Sequence, residues 1–495
     1  MVTASEGAAM GSATANENWS SRFAFIMAAV GSAVGLGNLV RFPAEVGANG
    51  GGAFVIFYIF CVVLIGAPVL LSETLIGRHG QSSAVGSVKK VARESGASEW
   101  WAVAAGVGML GAFLILTYYS VLAGWIVYFI GVFTGDLVSN IASGSLLAGA
   151  LDGQSVEEVQ GILPALQADA GTMLTMHAIF MAVTIFVVAR GVHGGIEKVA
   201  VWLMPTFFVL ILGITIYGAF TGAFGAALEF LFNFDASRLL DPTVQLSALG
   251  QALFSLSLGS ALMITYGAYA SRDTDLAKSS GLIASADTSV AIVAGLAIFP
   301  IVFAAMAPDA LAGVLAGDVP VEGGLGLLFI SLPVAFQTMP AGSIIGFLFF
   351  IMVFFAALTS AVALLEASVS WAIRRFNVSR VIATIVLGLT VFAIGAWASF
   401  SFNSQADFQP LDFMIFSGQP VFGIIDELTA KILLPVSALL VSIFVGWIAD
   451  QRLIDSENGL DGGLHKFWRF LVRWLCPIVI TAILITGIFP GLVGI

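Results

Sequence analysis

The sequence predicts an all-α polytopic membrane protein of eleven spans, in which two five-helix repeats of inverted topology each begin with a broken helix and one further span closes the chain. Three observations predict this class. Of 495 residues, 59% are hydrophobic and only 10% are charged, with a mean hydropathy of +1.02. Soluble domains carry about 25% charged residues, so this chain cannot cover its own surface in water, whereas lipid solvates it well. Apolar runs of about 20 residues, the length of one bilayer crossing, recur from near Arg22 to the end of the chain. The first and the sixth of these runs are interrupted by small and hydroxylated residues at matching places.

The first 20 residues are polar and lack both a cationic start and an apolar stretch, so they read as a cytoplasmic tail rather than a cleaved leader. Spans are predicted over 22–46, 52–78, 100–134, 172–190, 198–220, 246–271, 279–307, 341–374, 379–400, 421–449 and 467–493. The core then covers 21–450, divided into repeats 21–221 and 242–450, and 451–495 supplies a cytoplasmic loop and the eleventh span. Residues 308–340 are apolar but broken by Pro308, Gly313, Gly317, Pro320, Gly323, Gly324 and Pro333, which predicts an extramembrane helical loop. Cys61 and Cys476 both fall inside apolar runs, which argues against a disulfide scaffold or a thiolate metal site.

The loops set the orientation. Sixteen of the 19 Lys and Arg fall in alternate loops on one side, among them Arg78, Lys89, Lys90, Arg93, Arg190, Arg272, Arg374, Arg375, Arg380 and Arg473; the other side holds Arg238 alone. By the positive-inside rule the amino terminus is cytoplasmic and, with an odd number of spans, the carboxyl terminus is outside. The outward loops carry acids such as Asp136, Asp152, Glu157, Glu158 and Asp169. No basic stripe exists for a nucleic acid to use. The four histidines lie at or near span ends, far apart in sequence, with no zinc-type spacing, and neither a nucleophile elbow nor a phosphate loop occurs. An enzyme is not predicted.

Within the first span, Gly31 to Asn38 places three glycines in eight residues. Each costs a helix interior about 0.5 to 1 kcal/mol relative to alanine. Within the sixth, Ser255 to Ser260 places three serines and a glycine at the same depth. Small residues at one such place commonly mean close helix packing. Two of them at corresponding positions point instead to discontinuous helices around a midplane site. Freed amides there meet a carboxylate, and freed carbonyls and hydroxyls suit a hard cation such as sodium.

The segment NENWSSRFAFIMAAVGSAVGLGNLVRFPAEVGANGGGAFVIFY resembles the neurotransmitter:sodium symporters, particularly their prokaryotic amino-acid members similar to the leucine transporter. The resemblance continues through GAPVLLSETLIGRHG, TYYSVLAGW, GQALFSLSLGSALMITYGAY, FFAALTSAVALLE and GIIDELTAKILLP, and so covers nearly the whole chain. It implies sodium-coupled import of a neutral L-amino acid across the plasma membrane of a prokaryote. It also implies two sodium sites, one formed by Ala33, Asn38, Ser255, Asp287 and the substrate carboxylate. The second is formed by Gly31, Val34, Ala356, Thr359 and Ser360. Thr359 and Ser360 also admit a plainer reading, since hydroxyls on membrane helices often bond back to their own helix.

The same resemblance implies a substrate pocket of Ala33, Leu36, Gly37, Ile115, Tyr119, Phe254, Ser255, Ser257, Ser260, Ser360 and Leu364. Amides near Leu36 and Gly37, with the Tyr119 hydroxyl, take the α-carboxylate. Arg41 and Asp426 form the outer gate, with Gln251 close to Arg41 and with Phe254 and Tyr119 as an aromatic lid. Glu73, costly in mid-membrane without a partner, braces the two broken spans, and Glu366 is a second brace or a protonatable group. Monoamine-carrying relatives have an aspartate at the place of Gly35, and leucine-selective ones a phenylalanine at the place of Ser260. The first difference favours an amino acid over a decarboxylated amine, and the second a large apolar side chain.

Two departures from the family pattern bear on mechanism. The usual inner ion pair cannot form, because its positions hold Asn16 and Arg374; Glu17 is one alternative partner for Arg374. Asp287 stands where chloride-dependent relatives have asparagine, and Ala291 replaces their serine, which implies transport without chloride. A sensor or a channel on the same scaffold is the competing reading, although a channel needs weaker binding than two dedicated cation sites suggest.

Overall fold

The computed structural model describes residues 18–233, 237–305 and 324–489, and among these it contains helices and no strand. Among the described residues, nine helices are long and apolar enough to cross a membrane: Gly52–Gly80, Glu99–Ser143, Ala170–Ala189, Val192–Thr221, Leu276–Ala305, Gly342–Phe376, Arg380–Phe402, Val421–Ile448 and Gly462–Ile488. A tenth crossing is the pair Arg22–Ala33 and Gly37–Ala48, bent by 51°. The sixth predicted span appears as two shorter helices, Pro242–Ser255 and Leu262–Ala268, on either side of a non-helical stretch. Both expected breaks are therefore present.

Burial sorts the helices into scaffold and rim. The most apolar windows of Glu99–Ser143 and Gly342–Phe376 are 72% and 78% buried, against 22% for Gly462–Ile488, so the third and eighth spans form the centre and the last span lies outside. Lipid tails are as apolar as leucine, so helices in a bilayer associate by close packing rather than by a hydrophobic drive. The second span and Leu262–Ala268 show this: a Cβ on Gly77 would collide with the Ile264 carbonyl, and one on Gly267 with that of Thr74. At the other end of the scaffold Trp125, Phe129, Phe329 and Phe350 form an aromatic cluster, with Phe129 stacked on Phe350 at 5.0 Å.

Phe329 belongs to the segment the sequence reads as an extramembrane helical loop rather than a span. Of 308–340, the described part contains the helix Leu327–Thr338, which is too short to count among the crossings and whose Leu327, Phe329 and Phe336 are buried against the scaffold. Residues 308–323 lie outside the described residues, as do the tail residues Asn16 and Glu17 and the terminus 490–495. The third span also runs further than predicted, to Ser143.

The end of the bundle rich in Lys and Arg is stapled by ions. Arg78 Nε meets Glu457 Oε2 at 2.8 Å, and the Arg78 guanidinium also donates to the Thr274 carbonyl beyond the second broken helix. His79 bridges Glu457 at 3.1 Å and Glu94 at 2.5 Å. Burial opposes the charge on Glu457, but hydrogen bonds from His79 and Arg78 and their positive charge hold its carboxyl below the ordinary value.

Candidate functional site

The first break is short. Ser21 caps the helix Arg22–Ala33 by accepting from the Ala24 amide, and Val34 then turns to an extended conformation with ψ 111°. The helix resumes at Gly37, whose first amides, as at any helix start, have no partner within the helix. The second break is more strained: Ser257, Gly259 and Ala261 have φ of 53°, 73° and 61°. Left-handed backbone at a non-glycine residue costs about 1 kcal/mol or more and persists where surroundings enforce it. At Gly259 the enforcement is direct, because a Cβ would strike the Leu434 carbonyl and the Gly259 amide donates to Glu73 Oε1 at 2.8 Å. Glu73 thus braces the second break; its other carboxylate oxygen is buried without a partner, and no bond to the first break is present.

The two breaks face one another across a carboxylate. Asp287, on Leu276–Ala305, is fully buried. Its Oδ1 accepts from Asn38 Nδ2 at 2.8 Å and its Oδ2 from Ser255 Oγ at 2.5 Å, with the Tyr58 hydroxyl 3.5 Å away. Asn38 also donates to Ser255 Oγ and accepts from the Gly35 amide, both at 3.1 Å. Among the described residues no Lys, Arg or His pairs with Asp287. A buried carboxylate is costly without a compensating positive charge, and a hard cation among these oxygens would supply one.

The second expected group also converges. Ser360 Oγ lies 3.3 Å from the Gly31 carbonyl and 3.2 Å from that of Val34, both freed at the first break. Thr359 Oγ1 donates back to the carbonyls of Phe355, at 3.0 Å, and Ala356, at 3.1 Å, so the plainer role holds for its proton while its lone pairs stay available. A Cβ on Gly31 would lie 3.1 Å from Thr359 Cβ, which places the two helices in contact.

Between the breaks lies a cavity of about 40 Å³. All the predicted pocket residues line it except Ser255, which faces Asp287 instead: Ala33, Leu36, Gly37, Ile115, Tyr119, Phe254, Ser257, Ser260, Ser360 and Leu364. Ser32, Gly35 and Leu434 also line it. The Tyr119 hydroxyl is buried and makes no well-formed hydrogen bond, although Ser360 and the Leu36 amide lie beside it. Ser257 Oγ reaches across to the Ser32 carbonyl at 3.3 Å, and Ser260 Oγ donates back to the Ser257 carbonyl. A Cβ at Gly35 would stand 2.7 Å from Ser360 Oγ and 3.0 Å from the Tyr119 hydroxyl, so a side chain there would displace one of these hydroxyls.

Residues 16–143 and 158–490 match the model of the sodium:neurotransmitter symporter family. An uncharacterized sodium-dependent transporter, YhdH of Bacillus subtilis, is 33% identical over 96% of this chain and 98% of its own. The chain belongs to the sodium:neurotransmitter symporter family. It is also 31% identical to an uncharacterized sodium-dependent transporter of Methanocaldococcus jannaschii, over 94% of this chain and 89% of the relative. The crystal structure of MhsT in complex with L-phenylalanine is similar at a TM-score of 0.81 and 37% identity, covering 95% of this chain and 99% of that one. The chain is accordingly a membrane carrier and not an enzyme.

The symporter's two ends differ. A vestibule of about 1020 Å³ opens above the pocket, lined by both Arg41 and Asp426. These two do not form the expected ion pair here: Arg41 meets Glu45, one turn on, at 3.4 Å, and its guanidinium lies 4.8 Å from the centre of the Phe254 ring. Gln251 is turned to the Gly37 carbonyl at 2.9 Å, which joins the vestibule-side halves of the two broken helices. At the basic end Trp19 plugs the bundle, its indole donating to the Tyr266 carbonyl at 3.0 Å and its ring edge-on to Tyr266 and Tyr269. The Tyr269 hydroxyl donates to Glu366 at 2.6 Å, and Arg380 pairs with Glu366 at 2.6 Å and 3.1 Å. Arg380 was missed from sequence; the signal was an intramembrane glutamate followed by a basic residue at the start of the next helix.

Proposed function

We propose that this symporter imports a neutral L-amino acid with a large apolar side chain, driven by two sodium ions and independent of chloride. The observation that carries the reading is Asp287: a fully buried carboxylate held by Asn38, Ser255 and Tyr58, without a cationic side chain to balance it. Sodium bound by Ala33, Asn38, Ser255 and Asp287 balances that charge, and the fixed carboxylate makes a separate anion unnecessary. A second ion among Gly31, Val34, Ala356, Thr359 and Ser360 ties the first break to the eighth span. The substrate carboxylate completes the first site from the amides at Leu36 and Gly37 and the Tyr119 hydroxyl. Gly35 supports an amino acid over an amine, because the protein offers no carboxylate there and a side chain would displace the Ser360 or Tyr119 hydroxyl.

The basic end is the cytoplasmic one by the positive-inside rule, in the plasma membrane of a prokaryote, with repeats 21–221 and 242–450 rocking against each other around the midplane site. Arg41 and Asp426 then close the outer gate, while Trp19, Tyr269, Glu366 and Arg380 replace the usual inner ion pair. The test is uptake of labelled tryptophan, phenylalanine, leucine, alanine and glycine into proteoliposomes, with and without an inward sodium gradient, in chloride and in gluconate. The reading expects accumulation of the large apolar substrates only under the gradient, and equally in both anions. Failure of every amino acid to accumulate under the gradient sinks it.

A further inference from the structure

The central pocket and the outer vestibule share a wall. Leu36, Gly37, Tyr119, Phe254 and Leu434 line both cavities. Leu434 is the member that no sequence pattern points to, and it differs from the others in coming from the tenth span, Val421–Ile448, outside the broken helices and the scaffold.

Its main chain is held in place. The Leu434 carbonyl abuts Gly259 of the strained second break so closely that no Cβ fits there, and Pro435 follows directly. Its side chain is buried but borders both cavities: Cδ2 would lie 3.4 Å from a Cβ on Gly111, one turn before Ile115 of the pocket, where the glycine leaves space, and the vestibule adjoins it. The pocket in front measures about 40 Å³. One water needs about 10 to 15 Å³ on this measure, so the space accommodates only a few atoms. The serine at 260 opens no large chamber by itself, because Ile115, Leu364 and Leu434 still converge on it.

We propose that Leu434 is a specificity-determining residue, a partition whose side chain turns from the pocket toward the vestibule to admit a large apolar substrate side chain. Staggered leucine rotamers provide two discrete positions, and the close fit at Gly259 ties the partition's backbone to the break that moves in transport. This rests on reading the pocket as an amino-acid site.

The test has two arms. In the first, tryptophan, leucine, alanine and glycine compete for sodium-dependent binding in wild type, Leu434→Ala and Leu434→Phe. The preference for tryptophan over alanine should rise about tenfold in Leu434→Ala and fall about tenfold in Leu434→Phe; parallel changes for all four amino acids overturn the assignment. The second arm needs no substrate. A small impermeant thiol reagent is applied from the vestibule side to Ser260→Cys, alone and combined with each Leu434 change, with the buried Cys61 and Cys476 as background in the parent protein. Labelling should be fastest with alanine, slower with leucine and slowest with phenylalanine at 434. Equal rates overturn the partition. If wild type binds no amino acid, the transport reading fails while the labelling arm still decides whether Leu434 separates the cavities.

Discussion

At the acidic end of the bundle Arg41 and Asp426 share a vestibule of about 1020 Å³ without pairing. At the basic end Glu366 and Arg380 meet at 2.6 Å beneath a tryptophan plug. The same two broken helices run into both ends, so the difference is one of state rather than of composition. If these are the two gates, as proposed above, one is apart and the other is shut, which is the asymmetry alternating access requires. The difference also shows where the shut gate keeps its energy. Glu366 is fully buried and its partner nearly so, whereas Arg41 and Glu45 remain partly exposed. Removing one partner of a buried pair costs about 3 to 5 kcal/mol, while exposed pairs are worth about 0 to 1.

The largest effect should therefore come from Glu366→Gln, which removes the buried carboxylate that both Arg380 and Tyr269 meet. Thiol labelling of a cysteine placed at Ser370, on the basic half of the eighth span, should accelerate by an order of magnitude or more as that end opens. An unchanged rate would mean that packing by Trp19 alone keeps it shut. Asp426→Asn should leave the resting vestibule as accessible as in wild type, because the pair is not formed there, yet slow turnover several-fold by weakening the closed outer state. A large change in resting accessibility would contradict the open gate.

A smaller effect concerns the staple at Arg78, His79 and Glu457. Because the Glu457 carboxyl is held below its ordinary value in the fold, its stabilisation is complete above the unfolded-state carboxylate range and is lost as pH falls through the folded-state value. Melting temperature should fall by a few degrees or less on acidification, and Glu457→Gln should remove that part of the dependence. A variant with the wild-type acid profile would show that the staple does not respond to pH.

Legibility from sequence followed the locality of the signal. Gly31, Gly35 and Gly37 mark the first break and the serines with Gly259 mark the second, because each is a local conflict with helix formation. The meeting of Asn38 with Asp287, 249 residues apart, has no local signature and was available only through family resemblance. Arg380 escaped notice because a basic residue at a helix start reads as an interfacial anchor until Glu366 is seen beneath it. Leu434 is one leucine in an apolar helix, and only the fold gives it a wall to stand in. The prolines and glycines of 308–340 mark a segment that is not a continuous span, but the burial of the helix Leu327–Thr338 depends on the scaffold aromatics, which no local pattern announces.

The central claim is that sodium balances the buried charge of Asp287. The direct measurement is the sodium titration of amino-acid binding in wild type and Asp287→Asn, each in chloride and in gluconate. Wild type should bind with the same half-saturating sodium in both anions, and Asp287→Asn should lose binding or recover it in chloride alone. A wild type that needs chloride, or an Asp287→Asn variant whose sodium titration matches wild type in gluconate, would contradict the account.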